Sequence, residues 1–460
     1  VGKSKISFLA IVLLIVSAID SNRNLPAAAI FGAPLIFFFL FAAVFFLFPT
    51  AFIAAELSAA FPEKGGIYHW VRVAFGEKLG LIAVWLQWIN TMVWYPTILS
   101  FLAGTGAYLF DPVLMHSKLY MVIGISGIFW TLTLINLFGI HVSAKVNSMF
   151  ATVGTVFPML LLIVLGFLWF FWQEPRAIEI SAQSIFPSLT RFETWTALEA
   201  VMASFLGMEL IGVHVGSVDN PQKTFPRAIL LASVYILGTM LLGSLMIAVV
   251  LPLEKINLAG GLMQVFAGFF HAFGLEKLIF LMSFLIVIGS LGGMINWIIS
   301  PAKGLLHASE HGFLPKFLSH INKYGAASRI LIIQALLVTL FCSAFLLVPT
   351  VNAFYWLLTA LSNCLYMLMY ILMFLAALRL RLRYPSGSFK VPFGFFGLFC
   401  VCLLGLIGAV LTIIFGFVPP ENIDVGSASR YAAIIGSGIF LLICPAFLLI
   451  SYKKRRHIGH

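Results

Sequence analysis

Twelve apolar runs, each long enough to cross a lipid bilayer, dominate the 460-residue sequence and leave it no way to fold as a soluble globule. They fall near 6–32, 34–60, 79–110, 119–139, 142–172, 194–217, 226–251, 276–306, 328–348, 352–379, 393–418 and 429–452, bounded by charges, prolines or polar clusters. A bilayer-spanning helix needs about 20 consecutive, mostly apolar residues. Composition agrees, with 62% of residues apolar and 9% charged, where soluble domains carry roughly 25% charge. The same figures exclude disorder, collagen and a secreted disulfide scaffold. Hydrocarbon offers no partner to backbone N–H and C=O groups, so each span must satisfy its own. The expected fold class is an all-α polytopic membrane protein of 12 transmembrane helices, built as a single domain over 1–460.

The charges orient it. With the N-terminus on the cytoplasmic side, 20 of the 27 Lys and Arg residues fall on that side and 6 on the other, leaving Arg23 inside the first run. Cationic side chains are retained on the cytoplasmic side during insertion, so both termini are expected there. The net charge of +11 is thus a topological signal, and no nucleic-acid partner is expected. Clusters such as Arg379-Arg381-Arg383 and Lys453 to Arg456 are expected to meet anionic lipid headgroups. Cys342, Cys364, Cys400, Cys402 and Cys444 lie in or beside apolar runs without metal-ligand spacing and read as packing or lipid-facing residues. No cofactor, no metal site and no removable signal peptide are expected. Segments 62–77 and 307–327 mix charges with aromatic and aliphatic residues, as short helices lying against the bundle or as polar loops.

The first run contains what a lipid-facing helix does not hold. Ser17-Ala18-Ile19-Asp20-Ser21-Asn22-Arg23-Asn24-Leu25-Pro26 sets charges, amides, hydroxyls and a proline near mid-membrane depth. An Asp or Arg at a helix centre costs several kcal/mol unless it faces protein or water. Pro26 lacks a backbone donor and disfavours helix before it. The sixth run holds Ser204-Phe205-Leu206-Gly207-Met208-Glu209, an acid beside a glycine. These runs open consecutive five-span halves, about 6–172 and about 194–379, followed by two additional helices over about 393–452. Interrupted helices at equivalent places of two halves point to an inverted-repeat transporter whose loosened backbone faces a midplane substrate site. The structural alternative is that Asp20 and Arg23 pair, or that the span ends early.

An α-amino acid suits such a site. Amides from Ser21 through Asn22 and Arg23 to Asn24, at the start of a half-helix, are expected to hold its carboxylate. Carbonyls near Ile19 and Phe205 are expected to hold its ammonium, with Asp20, Ser204 and Gly207 completing the lining. Phe205 is either an aromatic gate or a packing residue. Glu209 is the proton-coupling candidate, because the charge of a carboxyl group withdrawn from water depends on its surroundings.

Other stretches resemble a known family. Ala55-Glu56-Leu57, Pro62-Glu63-Lys64-Gly65-Gly66-Ile67-Tyr68-His69-Trp70 and Gly76 resemble the signature after the second span in the amino acid–polyamine–organocation (APC) superfamily. Asn220-Pro221, Pro226-Arg227, Ser290-Leu291-Gly292-Gly293, Pro301-Ala302-Lys303 and His311-Gly312-Phe313-Leu314-Pro315 follow in the same order. Pro252 through Asn257 to Gln264, and Pro419-Pro420-Glu421-Asn422-Ile423, are most similar to the bacterial glutamate:γ-aminobutyrate antiporter group. The resemblance implies a LeuT-like fold, an exchanger in a bacterial cytoplasmic membrane, and places on the transport path for Tyr366, Tyr370 and Trp297. There are departures. Asp20 stands where that exchanger has a tyrosine and Gly293 where it has an acid, Gly154 and Thr155 lie near the depth where some relatives place a lysine, and the chain stops shortly after Lys453-Lys454-Arg455-Arg456. Asp20, Gly293 and the end of the chain are places that would set substrate and pH gating, so glutamate is not implied as the substrate; Gly154 and Thr155 bear on a sodium-like position.

The expected function is secondary active transport, exchanging amino acids or their decarboxylated amines by alternating access, with proton, sodium or pure exchange coupling left open. Asp20 and Glu209 also fit a carrier of cationic amino acids or polyamines, against which Arg23 counts by repelling a basic side chain. A ligand-sensing receptor would use the same pocket without transport. Catalysis is not expected, since the 10 histidines are scattered and show no HExxH pattern. The expected partners are amino acid or amine substrates and membrane lipids.

Overall fold

A computed structural model describes residues 8–61, 66–139, 149–150, 152–172, 176–210, 221–310, 315, 317–383 and 389–458. Among these residues the protein is helical and has no strand. The chain runs through α1 (Phe8–Ile19), α2 (Leu25–Ala29), α3 (Leu35–Ala60), α4 (Ile67–Phe75), α5 (Glu77–Ala107), α6 (Lys118–Leu137), α7 (Thr152–Trp172) and α8 (Ala197–Ala203). It continues through α9 (Pro221–Val250), α10 (Gly261–Ala272), α11 (Lys277–Glu310), α12 (Ser328–Ser343), α13 (Val351–Arg383), α14 (Gly394–Gly416) and α15 (Ala428–Ile458).

Nine of the described helices are long and apolar enough to cross a membrane: α3, α6, α7, α9 and α11 to α15. The three remaining expected spans correspond to α5 and to two interrupted segments, α1 with α2 and α8 with the turn after it. α5 is 31 residues long, and Gln87, Asn90, Thr91, Thr97 and Ser100 lower its hydropathy. Of the two charged and aromatic segments, 62–77 contains α4, a helix that buries Ile67, Trp70, Val71 and Ala74. The second forms the end of α11 and a turn at 317–319. Of the sequence motifs, Pro62 to Gly65, Asn220 and His311 to Leu314 lie outside the described residues.

Two prolines shape the membrane helices. A proline inside a helix has no N–H for the carbonyl four residues back, and its ring crowds that carbonyl. In α3 and α7 the backbone answers with a wider π turn, Ala43–Leu47 ahead of Pro49 and Thr152–Val156 ahead of Pro158. The Phe45 carbonyl freed by Pro49 lies so close to α14 that a Cβ on Gly408 would stand 2.3 Å from it. The Gly154 carbonyl freed by Pro158 is turned toward the centre of the bundle, where it meets Asn22.

α13 is the central packing element, lying on α4, α5 and α14, while α5 also packs on α6 and α11. α1 lies on α9, which also carries α3 and α7. α7 and α11 cross at a pair of glycines, and a Cβ on Gly154 would stand 2.3 Å from the Gly289 Cα. Without a hydrophobic force between helices in lipid, such close backbone approach is a main source of packing energy. At one end of the bundle Arg381 Nη1 of α13 donates to Glu56 Oε1 of α3 at 2.5 Å, and the Val391 amide donates to Glu56 Oε2 at 2.7 Å. Near α2, Asn257 accepts from the amides of Ala259 and Gly260, which holds Gly261 against Pro26.

Candidate substrate site

The first interruption starts where α1 ends. The Asp20 amide still reaches the Val16 carbonyl at 2.7 Å, but Ser21 is extended, with φ −132° and ψ 113°. One tight turn, Asn22–Asn24, then leads into α2. Pro26 sits in the first turn of α2, where a missing N–H costs nothing. No backbone carbonyl among the described residues takes the amides of Ser21, Asn22 or Arg23, the donors left over at a helix start. The second interruption follows α8. Residues 204–207 turn out of the helix and Gly207 has φ +109°, a conformation glycine adopts without strain.

The interruptions are tied together directly, since Asn24 Nδ2 donates to the Ala203 carbonyl at 3.1 Å. Beside this link lies a cavity of about 100 Å³, lined by Ile19 to Asn24 and by Ala203, Leu206 and Gly207. α5 adds Asn90, Thr91, Trp94, Ile98 and Phe101, α7 adds Thr155, α11 adds Gly289, Ser290, Met294 and Trp297, and α13 adds Tyr366. Asn22 Nδ2 donates to the Gly154 and Thr155 carbonyls at 3.2 and 3.3 Å. The π turn that Pro158 forces in α7 therefore anchors the unwound strand of the first span.

Asp20 and Arg23, both buried, turn apart and do not pair. Asp20 Oδ2 accepts from Thr239 Oγ1 of α9 at 3.2 Å, and its Oδ1 has no partner among the described residues. Arg23 Nη1 donates to Thr97 Oγ1 at 2.7 Å, and its guanidinium lies 4.7 Å from the Trp94 ring centroid. Its Nε is unpartnered, and its carbonyl accepts from Tyr355 Oη at 2.9 Å. The cavity thus has an uncompensated acid at one point and an incompletely bonded base at another.

Glu209 is 1% exposed and stands behind Tyr366. Tyr366 Oη donates to its Oε1, Tyr370 Oη to its Oε2 at 2.5 Å, and Gln87 Nε2 to Oε1 at 3.0 Å. Tyr370 Oη also accepts from the Gly207 amide at 2.9 Å. The two tyrosines, one helical turn apart, therefore link the acid to the turn that breaks the second helix.

Ser204, Phe205 and Tyr370 do not line the cavity. Ser204 Oγ donates to the Ala200 carbonyl at 3.2 Å, and the fully buried Phe205 ring packs edge-on against Phe39, centroids 5.7 Å apart. Phe205 is a packing residue here, and on that side the cavity is lined by Ala203, Leu206 and Gly207. Trp297 is on the wall, packed on Trp94 with centroids 5.2 Å apart. Gln87, Asn90, Thr91, Trp94 and Thr97 were not singled out from the sequence, yet their signal is there. They recur at three- and four-residue spacing in the third run, one face of a helix. Among the described residues no group of three His, Cys, Asp or Glu side chains is placed to hold a metal ion.

A family model for amino acid permeases matches residues 6–440. The chain belongs to the amino acid permease family, within the APC superfamily. It is 37% identical to an uncharacterized transporter of Legionella pneumophila, over 96% of both chains. A glutamate/gamma-aminobutyrate antiporter of Lactococcus lactis is 26% identical over 99% of this chain and 92% of its own. A probable agmatine/putrescine antiporter of the same species is 24% identical, over 96% of this chain and 94% of its own. Among solved structures, a manganese transporter of Eremococcus coleocola shares the fold, with a TM-score of 0.64 at 12% identity over 97% of this chain and 93% of that one. The permease is an integral membrane transporter and not an enzyme.

Proposed function

We propose that this permease exchanges amino acids or their decarboxylated amines across a bacterial cytoplasmic membrane by alternating access, with both termini in the cytoplasm and with Glu209 coupling transport to protons. The observation that carries the reading is the cavity where both interrupted helices meet. Free amides at Ser21 to Arg23 and the Arg23 guanidinium suit a carboxylate, and Asp20 with the backbone at Ile19 suits an ammonium group. Antiport fits the names of two relatives, whose substrates are an amino acid with its decarboxylated amine in one case and two amines in the other.

A second reading is favoured by Asp20 alone. Asp20 lines the cavity and keeps one buried oxygen without a donor among the described residues, while Arg23 is engaged by Thr97 and Trp94, an arrangement that suits cationic amino acids or polyamines. A competition panel separates the two. Proteoliposomes loaded with unlabelled amino acid should accumulate labelled substrate by counterflow, and about twenty amino acids and a few amines are then tested as competitors at two pH values. Competition confined to polyamines and basic amino acids favours the second reading. Binding without accumulation makes the protein a receptor and ends both.

A further inference from the structure

The sixth span carries a second buried acid, away from the central cavity. Glu199 lies on α8, ahead of the interruption, and is 1% exposed. Its bonding differs from that of Glu209, which takes three donors. Only Asn363 of α13 serves Glu199 among the described residues, its Nδ2 donating to Oε2 at 2.8 Å and to the Glu199 backbone carbonyl at 2.6 Å. Oε1 has no partner, and no salt bridge reaches the carboxyl group, among the described residues.

The surroundings add nothing that would compensate a charge. α14 closes over the open oxygen with Gly416, where a Cβ would stand 2.9 Å from Oε1 and 2.5 Å from Cys364 Sγ. Cys364 of α13 and Tyr431 of α15, both buried, come within electrostatic reach of the acid, and ionising either would add a like charge. Other elements pack on α8 as well. On them Glu56 is paired with Arg381, Arg23 is bonded to Thr97, and Glu193, in the turn ahead of α8, is a further acid. Arg191, which precedes that turn, is paired with Glu421 in solvent.

A carboxylate is an acceptor with about four lone-pair sites, whereas the neutral acid has an O–H of its own to donate. An ionised group buried with one donor and no cation is strongly destabilising. One donor on Oε2 and none on Oε1 match the neutral acid, with Oε2 as its carbonyl oxygen. We propose that Glu199 is a second proton-binding site of the permease, holding a proton on Oε1 while α8 lies on α13 and α14, and that loss of this proton to water opens that seam. The carboxylate left behind needs donors that the seam does not contain, and it finds them in water. The site depends neither on the transported substrate nor on Glu209.

Infrared spectroscopy of the purified permease in lipid tests the proton directly. The difference between wild type and Glu199→Gln at neutral pH should contain the C=O band of a protonated carboxyl group. Asn363→Leu removes the donor to that C=O and should raise the frequency of the same band, and it decides alone should Glu199→Gln fail to fold. Hydrogen exchange of the α8 amides reads the opening. Comparing the two proteins at each pH cancels the base catalysis of exchange itself. An opening that requires loss of one proton becomes about tenfold more populated per pH unit. The wild-type amides should therefore outpace those of Glu199→Gln by a factor that grows at about that rate from neutral to alkaline pH. A difference spectrum without the band, a band unmoved in Asn363→Leu, or a rate ratio that stays flat with pH overturns the proposal.

Discussion

At the residue scale the site turns on two acids that lack a cationic partner among the described residues, for different reasons. Glu209 is held by three neutral donors, so its charge is bonded but not neutralised. Glu209→Gln keeps the size of the side chain and removes the proton site. The expected outcome is exchange that no longer varies between the two pH values, with substrate competition nearly unchanged. An unaltered pH profile in that variant would place the coupling elsewhere. Asp20 lines the cavity, and one of its oxygens is buried with no donor among the described residues. Leaving a buried charge unpaired typically costs 2–5 kcal/mol, so if a cationic group sits there, Asp20→Asn should weaken cationic substrates by roughly thirtyfold or more and neutral ones much less. Uniform weakening across the competition panel would mean that Asp20 supports the fold of the break and does not read the substrate. Both acids were legible in the sequence because charge in mid-membrane is costly and therefore informative. The polar face of α5 was less visible, since uncharged amides and hydroxyls in a long apolar run disturb hydropathy only slightly. Phe205 shows the opposite limit. Its chemistry fits a gate as well as a core, and only its contact with Phe39 distinguishes them.

At the element scale the unwound strand of the first span depends on a proline in another helix. Pro158 opens the π turn of α7, the turn frees the Gly154 carbonyl, and Asn22 binds it. Gly154 and Thr155 stood out in the sequence, but the partner that makes them matter is more than 130 residues away, and no local pattern announces it. Asn22→Ala would leave those carbonyls unpaired at a cost of about 1–3 kcal/mol. Transport should fall while the protein still folds, which separates a positioning role from a purely structural one. The neighbouring crossing is steric. A Cβ on Gly289 would stand 2.2 Å from the Gly154 Cα and 2.6 Å from the Phe150 carbonyl oxygen. Overpacking of this kind costs about 1–3 kcal/mol, so Gly289→Ala should lower the thermal midpoint in detergent, whereas Gly127→Ala, with nothing within 4 Å, should not. Equal midpoints for the two variants would show that α7 and α11 separate without penalty.

At the scale of the whole molecule the decisive property is sidedness. If the nine long helices, α5 and the two interrupted segments all cross, the number of crossings is even and the two ends of the chain lie on one face. In the proposed topology the asymmetry of 20 basic residues to 6 assigns that face to the cytoplasm, because insertion retains cations there. The buried Glu56–Arg381 pair joins α3 to α13. In a variant with its five cysteines replaced, single cysteines introduced near Lys3 and near His460 should resist a membrane-impermeant maleimide in intact cells and react after permeabilisation, while one near Lys277 should react at once. Labelling of only one terminus from outside would mean that one of the three weak spans does not cross. α5 would be the first suspect, as the continuous helix that carries most of the polar face. The interrupted segments would then have to meet without a common inverted frame, and the proposed exchange across the central cavity would lose its geometry.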